Sequence, residues 1–287
     1  MYIIKPCGKL SGFLIPLLLT GCISLGTSIA NVPTYFAGLT RTPDVAYGPE
    51  TRQRLDIYSL AAAEKPLPVV IFIHGGRWTS GGKGQYRFVA ARLAKAGYRV
   101  VIPDYTKYPE VKFPALMDDV ARAVVWTKQH IAEYGGDPAR LYLMGHSSGA
   151  HMGAMLVADE KYLRKFGGSP RFISAFAGLA GPYAFTPDEP DVQDIFGPPS
   201  QYSNLRVPNF IGGDEPPMLL LAGEDDETVA RYNLTRLADA IRAHGGVVAT
   251  KIYPGMGHIG ILANFAQDGG EDISVAEDSI AFFNQHP

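Results

Sequence analysis

Cysteine is almost missing from this chain. Of 287 residues only Cys7 and Cys22 are cysteine, and both lie near the N-terminus. From residue 23 onward there is no thiol nucleophile, no disulfide and no cysteine–zinc site. An excess of one charge is missing too. The formal net charge is −2, with acids and bases interleaved, which argues against a nucleic-acid groove or a polybasic membrane patch. No repeat, low-complexity block or metal-ligand cluster stands out, and Gly81-Gly82-Lys83-Gly84 lacks both the leading strand and the spacing of a phosphate loop. What remains is an ordinary globular balance, 46% hydrophobic and 19% charged, in a chain long enough for one large domain with a well-buried core.

The N-terminus carries an address rather than a fold. Lys5 and Lys9 precede the apolar run Leu10–Leu19, which Gly12 and Pro16 interrupt. That run is too short for a membrane-spanning helix and reads as the core of a secretory signal. Leu19-Thr20-Gly21-Cys22 resembles the bacterial lipobox, in which the cysteine is lipidated and becomes the new N-terminus. The reading is therefore a signal peptide over residues 1–21, lipidation at Cys22, a tether and irregular lead-in over 22–50, and a catalytic domain over 51–287. An ordinary signal peptide cut between Ser24 and Asn31 is the competing reading. The lipobox resemblance implies an exported bacterial lipoprotein, periplasmic or cell-surface, attached to a membrane through its lipid.

Beyond the tether, strands and helices alternate. Pro68–His74 is a continuous apolar, β-branched run of the kind buried on both faces of a sheet. Shorter strand patterns fall at 54–58, 98–103, 140–145, 172–177, 217–222 and 247–253. Helical periodicity falls at 88–95, 113–134, 148–159, 231–244 and 275–285. This predicts an α/β domain with a doubly wound, mostly parallel sheet. Residues 183–216 break the alternation and are rich in Pro, Asp and Gly. They are longer than an ordinary loop, which predicts a small lid or substrate-pocket insertion.

The chemistry centres on Gly145-His146-Ser147-Ser148-Gly149, between a buried strand and a helix of small residues. That context predicts a nucleophile elbow: a sharp turn that lifts the Ser147 hydroxyl to the carboxyl edge of the sheet, at a helix N-terminus. Upstream, His74-Gly75-Gly76-Arg77-Trp78 follows the most hydrophobic strand. Glycines there let backbone N–H groups approach an oxyanion. The predicted donors are Gly76 and Ser148, with Gly75 a possible third. His74 is read as a structural loop anchor, and Trp78 as a pocket wall or a packing residue. The base must reach back to Ser147 from a late loop, and His258 in Pro254-Gly255-Met256-Gly257-His258 does so. His146 and His151 are read as polar packing. The acid lies in Gly223-Glu224-Asp225-Asp226-Glu227. The G-x-x-D-x-x-V spacing favours Asp226, with Asp225 as its rival.

These motifs, with Arg54-Leu55-Asp56-Ile57-Tyr58, Asp104-Tyr105 and the run from His130 to His151, make the chain resemble the α/β-hydrolase esterases and lipases. The branch in question includes kynurenine formamidase-like, feruloyl-esterase-like and prenylcysteine methylesterase-like enzymes. The resemblance implies a cofactor-free serine carboxylesterase acting on small-molecule esters, short- to medium-chain or aryl. Aryl formamidase or prenylcysteine methylesterase-like activity is the alternative within enzymes, and a catalytically silent surface lipoprotein the alternative outside them. That branch commonly has alanine after the nucleophile, where this chain has Ser148; the N–H donor survives the change.

Overall fold

The computed structural model describes residues 28, 30–35, 38–60, 65–265 and 274–287. The expected signal peptide and Cys22 lie outside the described residues. Among those described, eight strands form one sheet: β1 (Thr40–Ala46), β2 (Arg54–Ser59), β3 (Leu67–Ile73), β4 (Arg99–Pro103), β5 (Gly136–His146), β6 (Ile173–Leu179), β7 (Met218–Gly223) and β8 (Val248–Tyr253). Their spatial order is β1-β2-β4-β3-β5-β6-β7-β8. Strands β3 to β8 pair in parallel, while β2 runs antiparallel to both of its neighbours. The helices are α1 (Arg87–Lys95), α2 (Leu116–His130), α3 (Ser148–Ala158), α4 (Lys161–Arg164), α5 (Pro190–Phe196), α6 (Tyr232–Ala243), α7 (Gly260–Asn264) and α8 (Val275–Gln285).

Alternation along the strands builds two cores. Val69, Ile71 and Ile73 face one side with Leu141, Leu143, Met218 and Leu220, under α2, α3 and α6. Val70 and Phe72 face the other with Tyr142, Met144, Leu219 and Leu221, under α1, α7 and α8. Burial on both faces is why β3 reads as an unbroken apolar run: each fully buried Val, Ile or Phe side chain contributes about 1.5–3 kcal/mol. The doubly wound, mostly parallel sheet expected from the alternation is the architecture observed.

Three differences from the expected elements have local causes. Residues 40–46, expected in an irregular lead-in, form edge strand β1 and belong to the sheet. The stretch Thr-Arg-Thr-Pro-Asp-Val-Ala is almost wholly exposed, and its register shifts between Thr42 and Val45 around Pro43 and Asp44. An edge strand tolerates such a proline and bulge, so no hydrophobic alternation marks it. Helix α2 starts at Leu116 rather than 113, because the residue before Pro114 is disfavoured in helical geometry. The Phe113 N–H instead donates to the Ile195 carbonyl at 3.0 Å. The insertion at 183–216 is not a bare loop: it holds α5 and 3₁₀ turns at Pro199–Leu205 and Val207–Phe210. Buried Asn233 on α6 anchors it by accepting the Ala184 N–H at 2.8 Å.

Candidate active site

The strand order reverses between β3 and β5, and a doubly wound sheet opens a crevice at the carboxyl ends of its strands at such a point. The His74–Trp78 loop leaves β3 there, and Ser147 follows β5. Asp226 and His258 come from the loops after β7 and β8.

Ser147 sits at φ 54°, ψ −124°, a strained conformation for a residue with a side chain. Its backbone is over-determined: the Ser147 N–H donates to the Leu179 carbonyl at 2.9 Å, and its own carbonyl accepts the His151 N–H at 3.1 Å. Its hydroxyl caps nothing in α3 and is free to face the crevice. The Ser147 hydroxyl donates to His258 Nε2 at 2.9 Å. On the far side of the ring, His258 Nδ1–H donates to Asp226 Oδ2 at 2.9 Å. The structure thus brings Ser147, His258 and Asp226 into one hydrogen-bonded line.

It also separates the two competing acids. Asp225 is exposed, whereas the Asp226 side chain is 2% exposed. The second oxygen of Asp226 accepts the N–H groups of Thr228 and Val229 at 2.9 and 2.8 Å. Burial pushes this carboxyl up. The His258 hydrogen bond and charge, with the two N–H donors, outweigh burial and hold it below the usual carboxylate range. It is therefore ionised at neutral pH and fixes the tautomer of His258, leaving Nε2 as the acceptor facing Ser147.

The upstream loop approaches the elbow closely. A Cβ on Gly75 would fall 3.1 Å from Ser147 Cβ and 2.9 Å from the His146 carbonyl. Gly76 has φ 132°, where a Cβ would fall 2.1 Å from the Ser80 carbonyl. Among the described residues, neither the Gly76 nor the Ser148 N–H donates to a backbone carbonyl outside the regular elements. Ser148 opens α3, whose first N–H groups have no partner within the helix. His74 holds this loop from beneath. Fully buried, it donates through Nδ1 to the Gly75 carbonyl at 2.8 Å and stacks on Tyr105, whose hydroxyl donates to the His74 carbonyl. Trp78 is 4% exposed and lies among Phe185, Phe196 and His151, so packing dominates its surroundings.

Two histidines read as polar packing grip the neighbouring loops. Buried His146 Nε2–H donates to the His258 carbonyl at 3.0 Å, tying the Ser147 turn to the loop that carries His258. His151, one helical turn beyond Ser147, donates through Nε2 to the Leu205 carbonyl of the insertion at 2.8 Å. Neither partner lies near its histidine in sequence, so no spacing signals them. Desolvation lowers the His151 pKa to about 4, against 6.5 ordinarily. Between those values the unfolded chain takes up a proton at His151 that the folded chain does not, so stability falls as pH drops through that window. His151→Gln keeps a donor for Leu205 and removes this proton. The loss of thermal stability from pH about 7 to about 5 is expected to be smaller in His151→Gln than in wild type. Equal slopes in thermal unfolding would contradict the assignment.

Known proteins provide an independent comparison. The family described as Prolyl oligopeptidase family matches residues 115–286, and the family described as BD-FAE matches residues 55–171. A probable isoprenylcysteine alpha-carbonyl methylesterase of Arabidopsis thaliana is 27% identical over 89% of this chain and 57% of its own length. Esterase LipQ of Mycobacterium tuberculosis is 29% identical over 73% of this chain and 55% of its own. The chain thus spans little more than half the length of these curated relatives. Among solved structures, an inhibited esterase B from Lactobacillus rhamnosis superposes with TM-score 0.76 at 19% identity, covering 94% of this chain and 96% of that one. At that identity the likeness establishes a shared fold.

Proposed function

The chain belongs to the prolyl oligopeptidase family, and from that premise we propose that it is a serine carboxylesterase of the α/β-hydrolase fold. The observation that carries the proposal is the line Ser147–His258–Asp226, with both hydrogen bonds at 2.9 Å. His258 takes the Ser147 proton as Oγ attacks the ester carbonyl. The oxyanion forms against the N–H groups of Gly76 and Ser148, with Gly75 as a third donor, and α3 directs its positive end at the same charge. His258 then protonates the leaving alcohol. Water, activated by the same imidazole, hydrolyses the acyl-enzyme. Asp226 remains ionised throughout and stabilises the imidazolium.

The substrates proposed are small carboxylic esters, short- to medium-chain or aryl. Several relatives are named as esterases, which supports the class. The name of the Arabidopsis relative motivates a second reading, hydrolysis of a prenylcysteine methyl ester, and aryl formamidase activity is a third. An intact hydrogen-bonded line argues against a silent surface protein. Wild type is expected to hydrolyse p-nitrophenyl acetate and butyrate, and Ser147→Ala to hydrolyse neither above background. Equal turnover by the two proteins would sink the proposal. N-formylkynurenine and a prenylcysteine methyl ester in the same panel separate the formamidase and methylesterase readings.

We also propose that the enzyme is exported and lipid-anchored at Cys22, in the periplasm or at the cell surface. The lipobox-like segment supports this. Among the described residues, no helix is long and apolar enough to cross a membrane. Cys22→Ser is expected to move the protein from the membrane to the soluble fraction; unchanged partitioning would refute the anchor.

A further inference from the structure

Arg77 and Trp78, immediately after Gly76, both adopt left-handed backbone, at φ 55° and 61°. Such backbone is strained in a residue that carries a side chain. Two in succession persist only where their surroundings hold them. Part of the hold is local: the Gly76 carbonyl accepts the N–H groups of Thr79 and Ser80, and the Trp78 carbonyl accepts that of Tyr108.

The rest comes largely from the 183–216 insertion. The Arg77 guanidinium lies 2.6 Å from Glu189 and 2.8 Å from Asp191. The Trp78 ring stacks on Phe185 at 5.4 Å and meets Phe196 edge-on at 4.9 Å. Both carboxylates stand at the start of α5, where Asp191 also accepts the Val192 N–H. One turn further along α5 a second attachment follows. Asp194 accepts the Tyr108 hydroxyl at 2.7 Å and pairs with Lys112.

We propose that the insertion braces the oxyanion loop, and that Arg77, held by Glu189 and Asp191, is a positioning residue for the N–H of Gly76. This rests on the carboxylesterase reading. Arg77 is 38% exposed and the two carboxylates 55% and 46%. Pairs that exposed add little to global stability. Their consequence is local, in the fraction of molecules whose loop is aimed at the oxyanion. A loop aimed less often stabilises the transition state less and leaves ground-state binding unchanged, so kcat falls and KM does not.

The test is Glu189→Gln combined with Asp191→Asn, assayed on p-nitrophenyl acetate. kcat is expected to fall about three- to tenfold, a fraction of the 10²–10³ that loss of a whole oxyanion donor costs, with KM within about twofold. Added salt should lower kcat of the wild type toward that of the double variant, and should leave the double variant unchanged. A backbone readout accompanies it. Arg77→Gly removes the clamp and the strain together, so it should retain more kcat than Arg77→Ala. Unchanged kcat in the double variant, a rise in KM alone, or equal kcat in the Gly and Ala variants would each overturn the brace and leave the carboxylesterase reading standing. A wild type that turns over no ester would overturn both.

Discussion

His258→Ala is expected to lower kcat/KM for p-nitrophenyl esters by about 10⁴–10⁶, with little change in thermal stability. The imidazole makes two hydrogen bonds, to Ser147 and Asp226, and its side chain is 11% exposed at the crevice. Removing it leaves a neutral hydroxyl as nucleophile and an alcohol with no proton donor as it leaves. The loop itself stays tied down, because His146 grips the His258 backbone carbonyl, which alanine retains. In the proposed mechanism Ser147 and His258 act as one unit, so the double variant Ser147→Ala/His258→Ala should be no slower than either single variant. Multiplicative losses in kcat/KM would mean that the two act independently, which contradicts the geometry. A loss under about tenfold in His258→Ala would move the base elsewhere.

Gly149→Ala is expected to damage the fold itself. A Cβ there would fall 2.1 Å from the Ile73 carbonyl oxygen and 2.6 Å from that of His74. Both are backbone atoms at the end of β3, whose two flanks are already paired with β4 and β5. No side chain can swing aside. Relief requires α3 to lift from the sheet or the end of β3 to shift, and with it the loop facing Ser147. Overpacking with no escape lies at the upper end of the usual range, about 3 kcal/mol. For a domain of this size that lowers Tm by about 6–12 °C, with activity lost in parallel. Gly84→Ala is the control: nothing lies within 4 Å of its Cβ position and its φ is not positive. Its Tm should stay within about 2 °C of wild type. Scanning calorimetry of the pair decides the matter, and equal Tm values would refute the close-approach argument.

These two positions also mark how far the sequence could be read. β3 and the elbow were legible because a doubly buried strand and a glycine-spaced turn leave local signatures: Val69–Ile73 must be apolar, and Gly145 and Gly149 must lack Cβ atoms for α3 to seat. β1 left none, because its exposed residues face water and a bulge breaks its pattern. Among the four carboxylates at 224–227, spacing favoured Asp226. Burial and the N–H donors of Thr228 and Val229 distinguish it from Asp225, and those depend on how the loop folds over His258. The pairings Arg77–Glu189, His151–Leu205 and His146–His258 join segments tens of residues apart. Nothing in the spacing of either partner announces them.

In the proposed mechanism Ser147 is a nucleophile activated by His258. The most direct measurement is covalent capture with a p-nitrophenyl alkylphosphonate, followed by peptide mass spectrometry. Wild type should release p-nitrophenolate and carry the phosphonyl group on the peptide containing Ser147. Ser147→Ala should remain unmodified, and His258→Ala should react far more slowly. A phosphonyl group found on another residue, or an enzyme that hydrolyses esters yet leaves Ser147 unmodified, would contradict the account.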